Sequence, residues 1–448
     1  MKGLAALLMQ YIRVRYGRRW SNREAFGRWQ ERQVLRQLRY VQANSPYYRE
    51  LWGDRPLTQW RQFPAIDKAA MMKHFDRLNT AGIRKEAAME VALKAESSRN
   101  FHPRIGDITV GLSSGTSGSR GLFLVSEREQ AAWSGTMLAK LLPGPLWKAE
   151  KVAFFLRANS NLYESVRSGK LQFEYFDLLE PIERHVERLN DYRPGIWAAP
   201  PSVLRMLAEK KREGQLTTIP HRIISVAEVL DPIDAAMIQE TFGLPLHQVY
   251  QCTEGFLAST CRYGTLHLNE DVVHIEKEYV QGELSARKFV PIVTDFSRTT
   301  QPIIRYRLND VLTEAATPCP CGSVFTAIEQ IEGRCDDIFY MESAADGRLT
   351  PIFPDYMTRA ILAASPAIEE YRVVQQGGEE LEIELLTAAE SDREEVERQV
   401  SASIGALMRR LNCRIPNLAF AAYSYKPGLR KLRRVERRWQ IEHSHLPL

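Results

Sequence analysis

The feature that most restricts the fold is an alternation between residues 151 and 250. Short apolar runs at 151–156, 195–199, 222–226 and 246–250 are separated by amphipathic segments at 182–190, 201–213 and 231–242. The short runs have the length of buried strands, and the longer segments carry apolar residues at helical spacing. A chain that repeats strand, helix, strand builds an α/β sheet, and such sheets take ligands beyond the carboxyl ends of their strands. At 448 residues the chain is also too long for one ordinary core, so at least two domains are expected.

The flanking regions read differently. Phe26, Trp29, Val34, Leu35, Leu38 and Val41 give residues 23–51 a helical period, which Ser45-Pro46 interrupts. Residues 1–20 hold a short apolar run followed by Arg13, Arg15, Arg18 and Arg19. A secretory signal places charge before its apolar run, so this stretch reads as a basic amphipathic helix. Packing on the domain surface is the expectation, with membrane-surface contact as the alternative. After about residue 334 the pattern changes: residues 371–375 and 381–386 read as a hairpin about Gly377-Gly378, before a helix at 392–411 and a strand at 418–423. The expected fold class is α/β, with a large N-terminal multi-layer α/β domain over 1–335 and a small C-terminal α+β domain over 336–448.

Composition narrows the partners. With 44% hydrophobic and 26% charged residues the chain is globular, and a formal charge of +5 mildly favours anionic ligands such as nucleotides without arguing for nucleic acid. No apolar stretch approaches the roughly 20 residues of a membrane span. Six scattered cysteines form no disulfide scaffold, which points to the cytoplasm.

Three stretches carry chemistry. Ser113-Ser114-Gly115-Thr116-Ser117-Gly118-Ser119-Arg120-Gly121 follows a strand-like run at 108–112, and its backbone N–H groups and hydroxyls suit phosphate oxygens. It lacks the Gly-Lys-Ser/Thr of the common P-loop, and a plain flexible loop remains open. Val249-Tyr250-Gln251-Cys252-Thr253-Glu254-Gly255, at a strand end, supplies an aromatic face, a hydroxyl and a carboxylate fit for magnesium. Pro302 to Asp310 ends in a carboxylate suited to ribose hydroxyls, and Ile331-Glu332-Gly333-Arg334-Cys335-Asp336-Asp337 lies at the domain boundary. Separately, Cys319-Pro320-Cys321 joins Cys261 and His267 as four possible zinc ligands, with isolated loop thiols as the competing reading.

In order and spacing these motifs closely resemble the acyl-adenylate-forming superfamily. Within it the best match is the branch of phenylacetate–coenzyme A ligases and synthetases that adenylylate a deazaflavin coenzyme. The resemblance covers nearly the whole chain, including residues 44–49 and Ile66-Asp67-Lys68. It implies that Ser113, Ser114, Gly115, Thr116, Ser117, Gly118 and Arg120 close over the ATP phosphates, with Arg120 standing near the family's lysine. A planar guanidinium keeps the charge but changes the contacts. Ala227 and Glu228 would lie on the adenine side, where a glycine is commoner than Val226, and Tyr250 beside adenine. Thr253 would sit near the α-phosphate, Glu254 on Mg2+, Asp310 on ribose and Arg334 by ribose and phosphate, with Asp336 as the hinge of a mobile small domain.

The resemblance aligns Lys431, within Pro427 to Val435, with the catalytic lysine of the small domain, although Arg430 replaces a glycine and a solvated basic tail would look similar. Some phenylacetate–coenzyme A ligases carry Cys and His at a spacing comparable to the four ligands above. The implied reaction is adenylation of a carboxylic acid with loss of pyrophosphate, then transfer to coenzyme A or a free-standing acyl carrier protein. Phe154, Phe155, Tyr163 and Trp197 favour an aryl or medium acyl group, unless they are plain core. The competing readings are adenylylation of a cofactor hydroxyl, an ATP-binding scaffold without turnover, and nucleic-acid binding by the Arg-rich tail, for which no motif is present.

Overall fold

The computed structural model describes residues 2–17, 20, 22–98, 103–112, 121–156, 170–280, 287–425 and 432–441. The alternating segment forms five parallel strands: Leu171–Asp177, Glu150–Leu156, Ile196–Ala199, Arg222–Ser225 and Leu246–Cys252, in that spatial order. Every residue of Ile196–Ala199 is buried, as expected of a strand covered on both faces. The helices Ile182–Tyr192, Pro201–Arg212 and Pro232–Phe242 follow their strands. Pro201 and Pro232 occupy the first helical turn, and the Asp231 side chain accepts the N–H of Ile233. Gly243, at φ 65°, ends the last of these helices in the left-handed region.

Beyond Leu246–Cys252 the same sheet changes character, which the alternation does not predict. It continues antiparallel through Gly255–Thr260, Leu266–Leu268, Ala327–Arg334, Asp310–Glu314, Lys288–Asp295 and Val273–Tyr279, giving twelve strands with the short Tyr306–Arg307. Against this half packs helix α2 (Arg23–Asn44) together with Trp52, Trp60 and Phe63. Ser45 explains the break read from the sequence. It closes α2 and also caps the helix Pro46–Trp52, while its hydroxyl donates to the Leu78 carbonyl at 2.9 Å.

Helix α1 (Lys2–Arg15) lies on the helix Glu127–Leu141, with Leu7 and Tyr11 buried between them. The helices touch closely at Gly135, where a Cβ would stand 2.4 Å from the Leu7 carbonyl oxygen. Arg15 donates to the Ala139 and Leu142 carbonyls at 3.0 and 2.8 Å, satisfying the free end of that helix. Packing on the domain surface is therefore what one face of α1 does.

The smaller C-terminal domain is built on the hairpin Ile368–Gly377 and Glu380–Thr387. Asn417–Ala422 and Val435–Arg437 add parallel edges, and the helices Pro354–Leu362 and Arg393–Arg410 cover a core that runs from Phe339 to Val435. A 3-10 turn, Cys335–Asp337, joins it to the last residue of Ala327–Arg334. Among the described residues no helix is long and apolar enough to cross a membrane.

Candidate active-site cleft

The parallel strands end at a cavity of about 1080 Å3 that the small domain helps to close. Three local devices aim side chains into it. After Arg222–Ser225 the chain turns sharply. Ala227 takes φ 70°, and the Glu228 N–H returns to the Val226 carbonyl at 2.9 Å. A non-glycine residue in this region is strained, and such strain gathers at functional loops. Next, the strand Leu246–Cys252 reverses into Gly255–Thr260, so that Thr253 and Glu254 form the tip of a two-residue turn. Arg298 donates to the Thr253 carbonyl at 3.1 Å and holds that tip. Finally, Asp310 and Arg334 face each other as register partners, next to a bulge where Gly333 adopts φ 123°, a conformation open to glycine.

The electrostatics follow from burial. The Tyr250 phenol is pushed far up by burial and then by Asp310, so it stays protonated and donates to Asp310 Oδ2 at 2.5 Å. The Cys252 thiol is raised by burial and by Glu254, and the Tyr306 phenol by the same two causes. Neutral groups thus crowd Glu254, which also accepts the Thr253 hydroxyl at 2.8 Å. A carboxylate at the tip of a turn, beside an open cavity, fits a magnesium ion that takes most of its ligands from phosphate and water. Lys68 lies in the same cavity and is lowered by burial, with Glu254 opposing, Arg334 adding to the fall and Asp336 opposing. At the domain junction Asp336 accepts from the Asn309 amide, and Asp337 pairs with Arg433. Burial nevertheless raises the Asp337 carboxyl to about 6.

Tyr250, Thr253, Glu254, Ala227, Glu228, Asp310, Arg334 and Asp336 all line this one cavity. Ser113, Ser114, Gly115, Thr116, Ser117, Gly118, Arg120 and Lys431 lie outside the described residues. Their chain neighbours Leu112, Leu432 and Arg433 reach the cavity, and Gly121 lines a small adjoining pocket with Thr253 and Glu254. Lys68 enters the sequence reading only as part of the resemblance, with no role given to it. It follows an ordinary helix cap, Asp67, and only the fold brings it beside Glu254.

The cavity also has an apolar wall, with Trp133, Met137, Phe154, Ile224 and Val249 in its lining beside the polar Gln10, Gln130 and Thr136. This corrects part of the sequence reading. Phe155 stacks on Phe176 in the core, and Trp197 is fully buried against Phe242, so neither lines the cavity. Successive residues of a strand face opposite sides, which is why Phe154 points in and Phe155 away. Tyr163 lies outside the described residues.

A second cluster stands apart from the cleft. Cys261, His267, Cys319 and Cys321 bring their ligand atoms within 4.8 Å of one another. Cys261 Sγ and Cys319 Sγ are 3.7 Å apart, and Cys321 Sγ is 3.4 Å from His267 Nε2. A tetrahedral zinc with bonds of about 2.3 Å to sulfur needs sulfurs roughly 3.8 Å apart, so the spacing fits. His267 Nδ1 faces the Phe325 carbonyl at 3.2 Å, the outer contact that leaves Nε2 for a metal. Metal analysis of untagged protein is expected to find one zinc per chain. Cys319→Ser with Cys321→Ser is expected to lose it and to lower the melting temperature, and protein purified without zinc would contradict the assignment.

No protein-family model matches the chain. It is 22% identical over 373 residues to Protein CapK of Staphylococcus aureus, covering 80% of this chain and 77% of that one. To phenylacetate-coenzyme A ligase of Thermus thermophilus it is 22% identical over 207 residues, 43% and 44% of the two chains. Among solved structures, a 2-hydroxyisobutyryl-CoA ligase in its postadenylation state, in complex with R3-HIB-AMP, superposes with a TM-score of 0.65 at 16% identity, over 93% of this chain and 89% of that one. The same ligase in its thioesterification state gives 0.52 over 92% and 90%.

Proposed function

We propose, for a chain that has the fold of the acyl-adenylate-forming ligases, that it adenylates a carboxylic acid with ATP and passes the acyl group to a thiol. The observation that carries this reading is the meeting of Tyr250, Glu254, Asp310 and Arg334 around one cavity that also has apolar lining. The Tyr250 ring would flank adenine and Asp310 would hold the ribose hydroxyls. Arg334 would reach ribose and phosphate, and Glu254 would hold the magnesium that neutralises the triphosphate. In the first step the acid's carboxylate attacks the α-phosphorus and pyrophosphate leaves. Negative charge grows on the α-phosphate, where the Thr253 hydroxyl and the Lys431 ammonium oppose it. In the second step a thiolate attacks the acyl carbon and AMP leaves, a better leaving group than the original carboxylate oxygen.

Between the steps the domain over 336–448 would rotate at Asp336, so that different residues of one lid serve each half-reaction. The apolar wall about Trp133 and Phe154 suits an aryl or medium acyl group. Coenzyme A or a free-standing acyl carrier protein, both acidic, would accept it, in a cytoplasmic setting. The test is pyrophosphate release from ATP with a panel of aryl and fatty acids, with and without coenzyme A, and mass detection of thioester. Acid-stimulated release with thioester supports the reading. Release driven only by a hydroxylated cofactor selects adenylylation of that hydroxyl, and no turnover with any acid leaves an ATP-binding scaffold.

A further inference from the structure

Helix α1 is apolar on two sides, and only one of them is packed. Leu7 and Tyr11 fill the core. Away from the core Leu4, Leu8, Met9 and Ile12 are 60%, 41%, 71% and 56% exposed, and Tyr16, in the turn just after the helix and edge-on to Tyr11, is 53% exposed. Four-residue steps advance a helix by only about 40°, so these side chains form one continuous outward stripe. Single exposed apolar residues are ordinary, but four large ones gathered on one helix mark a contact surface.

The surroundings of the stripe are basic. Arg13 of α1 is exposed, and so are Arg32, Arg36 and Arg39, which recur at helical spacing along the outer side of α2. Among the described residues these four have no carboxylate partner, whereas Arg28 on the same helix pairs with Glu24. Helix α2 runs near α1: Phe325 packs against Phe26 of α2 and under Lys140 of the helix on which α1 lies, and Arg13 is lowered by partial burial and then by the charge of Arg36. Apolar side chains flanked by unpaired arginines fit an interface whose outer layer is anionic and whose inner layer is hydrocarbon. A second copy of the chain fits poorly, because a two-fold contact would set the same arginines against each other.

We infer that the outer side of α1 and the adjoining side of α2 dock the protein on an anionic phospholipid bilayer. Leu4, Leu8, Met9 and Ile12 enter the acyl boundary, and Tyr16 sits at headgroup depth. Arg13, Arg32, Arg36 and Arg39 meet lipid phosphates. The contact is peripheral, with α1 lying in the plane of the interface, and it stands whatever the cleft turns over. Gln10, on the inner side of the same helix, lines the cavity and donates to Thr136 Oγ1 at 3.1 Å. The bilayer would therefore lie one helix away from the cavity.

The experiment is co-sedimentation of the full chain with vesicles of phosphatidylcholine alone and of phosphatidylcholine mixed with phosphatidylglycerol, with light scattering on the free protein. Binding to the mixed vesicles, weak binding to the neutral ones, and release by salt are expected. Met9→Gln, at a position too exposed to affect folding, should weaken binding severalfold, and Leu8→Glu with Ile12→Glu should abolish it. Each arginine replaced by glutamine among Arg32, Arg36 and Arg39 should cost about fivefold. Failure to bind the mixed vesicles overturns the inference, as does equal binding to neutral ones. So does a wild-type dimer that the Leu8→Glu, Ile12→Glu protein no longer forms.

Discussion

Replacing Lys431 with alanine is expected to slow adenylation by about 10²- to 10³-fold while leaving thioester formation from supplied acyl-adenylate nearly unchanged. The asymmetry comes from where charge develops. In the first half-reaction the α-phosphate and the attacking carboxylate oxygen both gain negative charge, and an ammonium between them stabilises that state more than the ground state. In the second, the thiolate attacks the acyl carbon, charge develops on the acyl oxygen, and AMP then leaves with no new bond to phosphorus, so the lysine has no comparable task. The residues just after Lys431 support this placement. Leu432 and Arg433 line the cleft, Arg433 pairs with Asp337, and Val435–Arg437 docks beside Ile368–Gly377. Pyrophosphate release measures the first half-reaction, and thioester yield from synthetic acyl-adenylate measures the second. Equal loss in both would contradict the role given to Lys431.

Arg434→Met is expected to undock the small domain. Arg434 is 8% exposed and donates to both carboxylate oxygens of Asp234 at 2.8 Å, pairs with Glu370, and lies 3.6 Å from Asp231. Asp231 in turn accepts the Tyr371 hydroxyl at 2.6 Å, and Arg205 bridges Asp234 and Glu370. Arg434, Glu370 and Tyr371 belong to the small domain, while Asp231, Asp234 and Arg205 belong to the large one, so the network spans the boundary. Removing the arginine leaves Asp231 without a cation and Asp234 and Glu370 with Arg205 alone, and breaking such a buried pair typically costs about 3–5 kcal/mol. Unlike apolar surface, these charges regain their hydration when the domains part, so the network suits a contact that must open and close. Denaturation should show the small domain melting earlier, limited proteolysis should cut near the 335–337 turn, and adenylation should fall with docking. A variant that keeps a single cooperative transition would show that the network does not hold the domains together.

Much of the fold was legible because its periods are simple. Four of the five parallel strands between 150 and 252, the break at Ser45-Pro46 and the hairpin about Gly378 follow from spacing and turn residues, while the edge strand Leu171–Asp177 was not read. The antiparallel half was not legible, because strands such as Lys288–Asp295 are buried along their whole length and show no alternation to read. The four possible zinc ligands could be named from the sequence, but their meeting depends on register. His267 stands opposite Ala327 in the sheet, which brings the two halves of the cluster together. Within the cleft, Tyr250, Glu254, Asp310 and Arg334 stood out as motif residues at strand ends. Lys68 was quoted only within Ile66-Asp67-Lys68 and given no role, since a capped helix start carries no chemical signature, and Phe155 and Trp197 misled because strand direction decides which of two neighbours faces a cavity.

Exchange of labelled pyrophosphate into ATP, with no thiol present, tests acid adenylation most directly. Exchange is expected to begin only when a suitable acid is added, to require magnesium, and to fall to background in Glu254→Gln and Asp310→Ala proteins that remain folded. Exchange supported only by a hydroxyl compound, or none with any aryl or aliphatic acid, would contradict it.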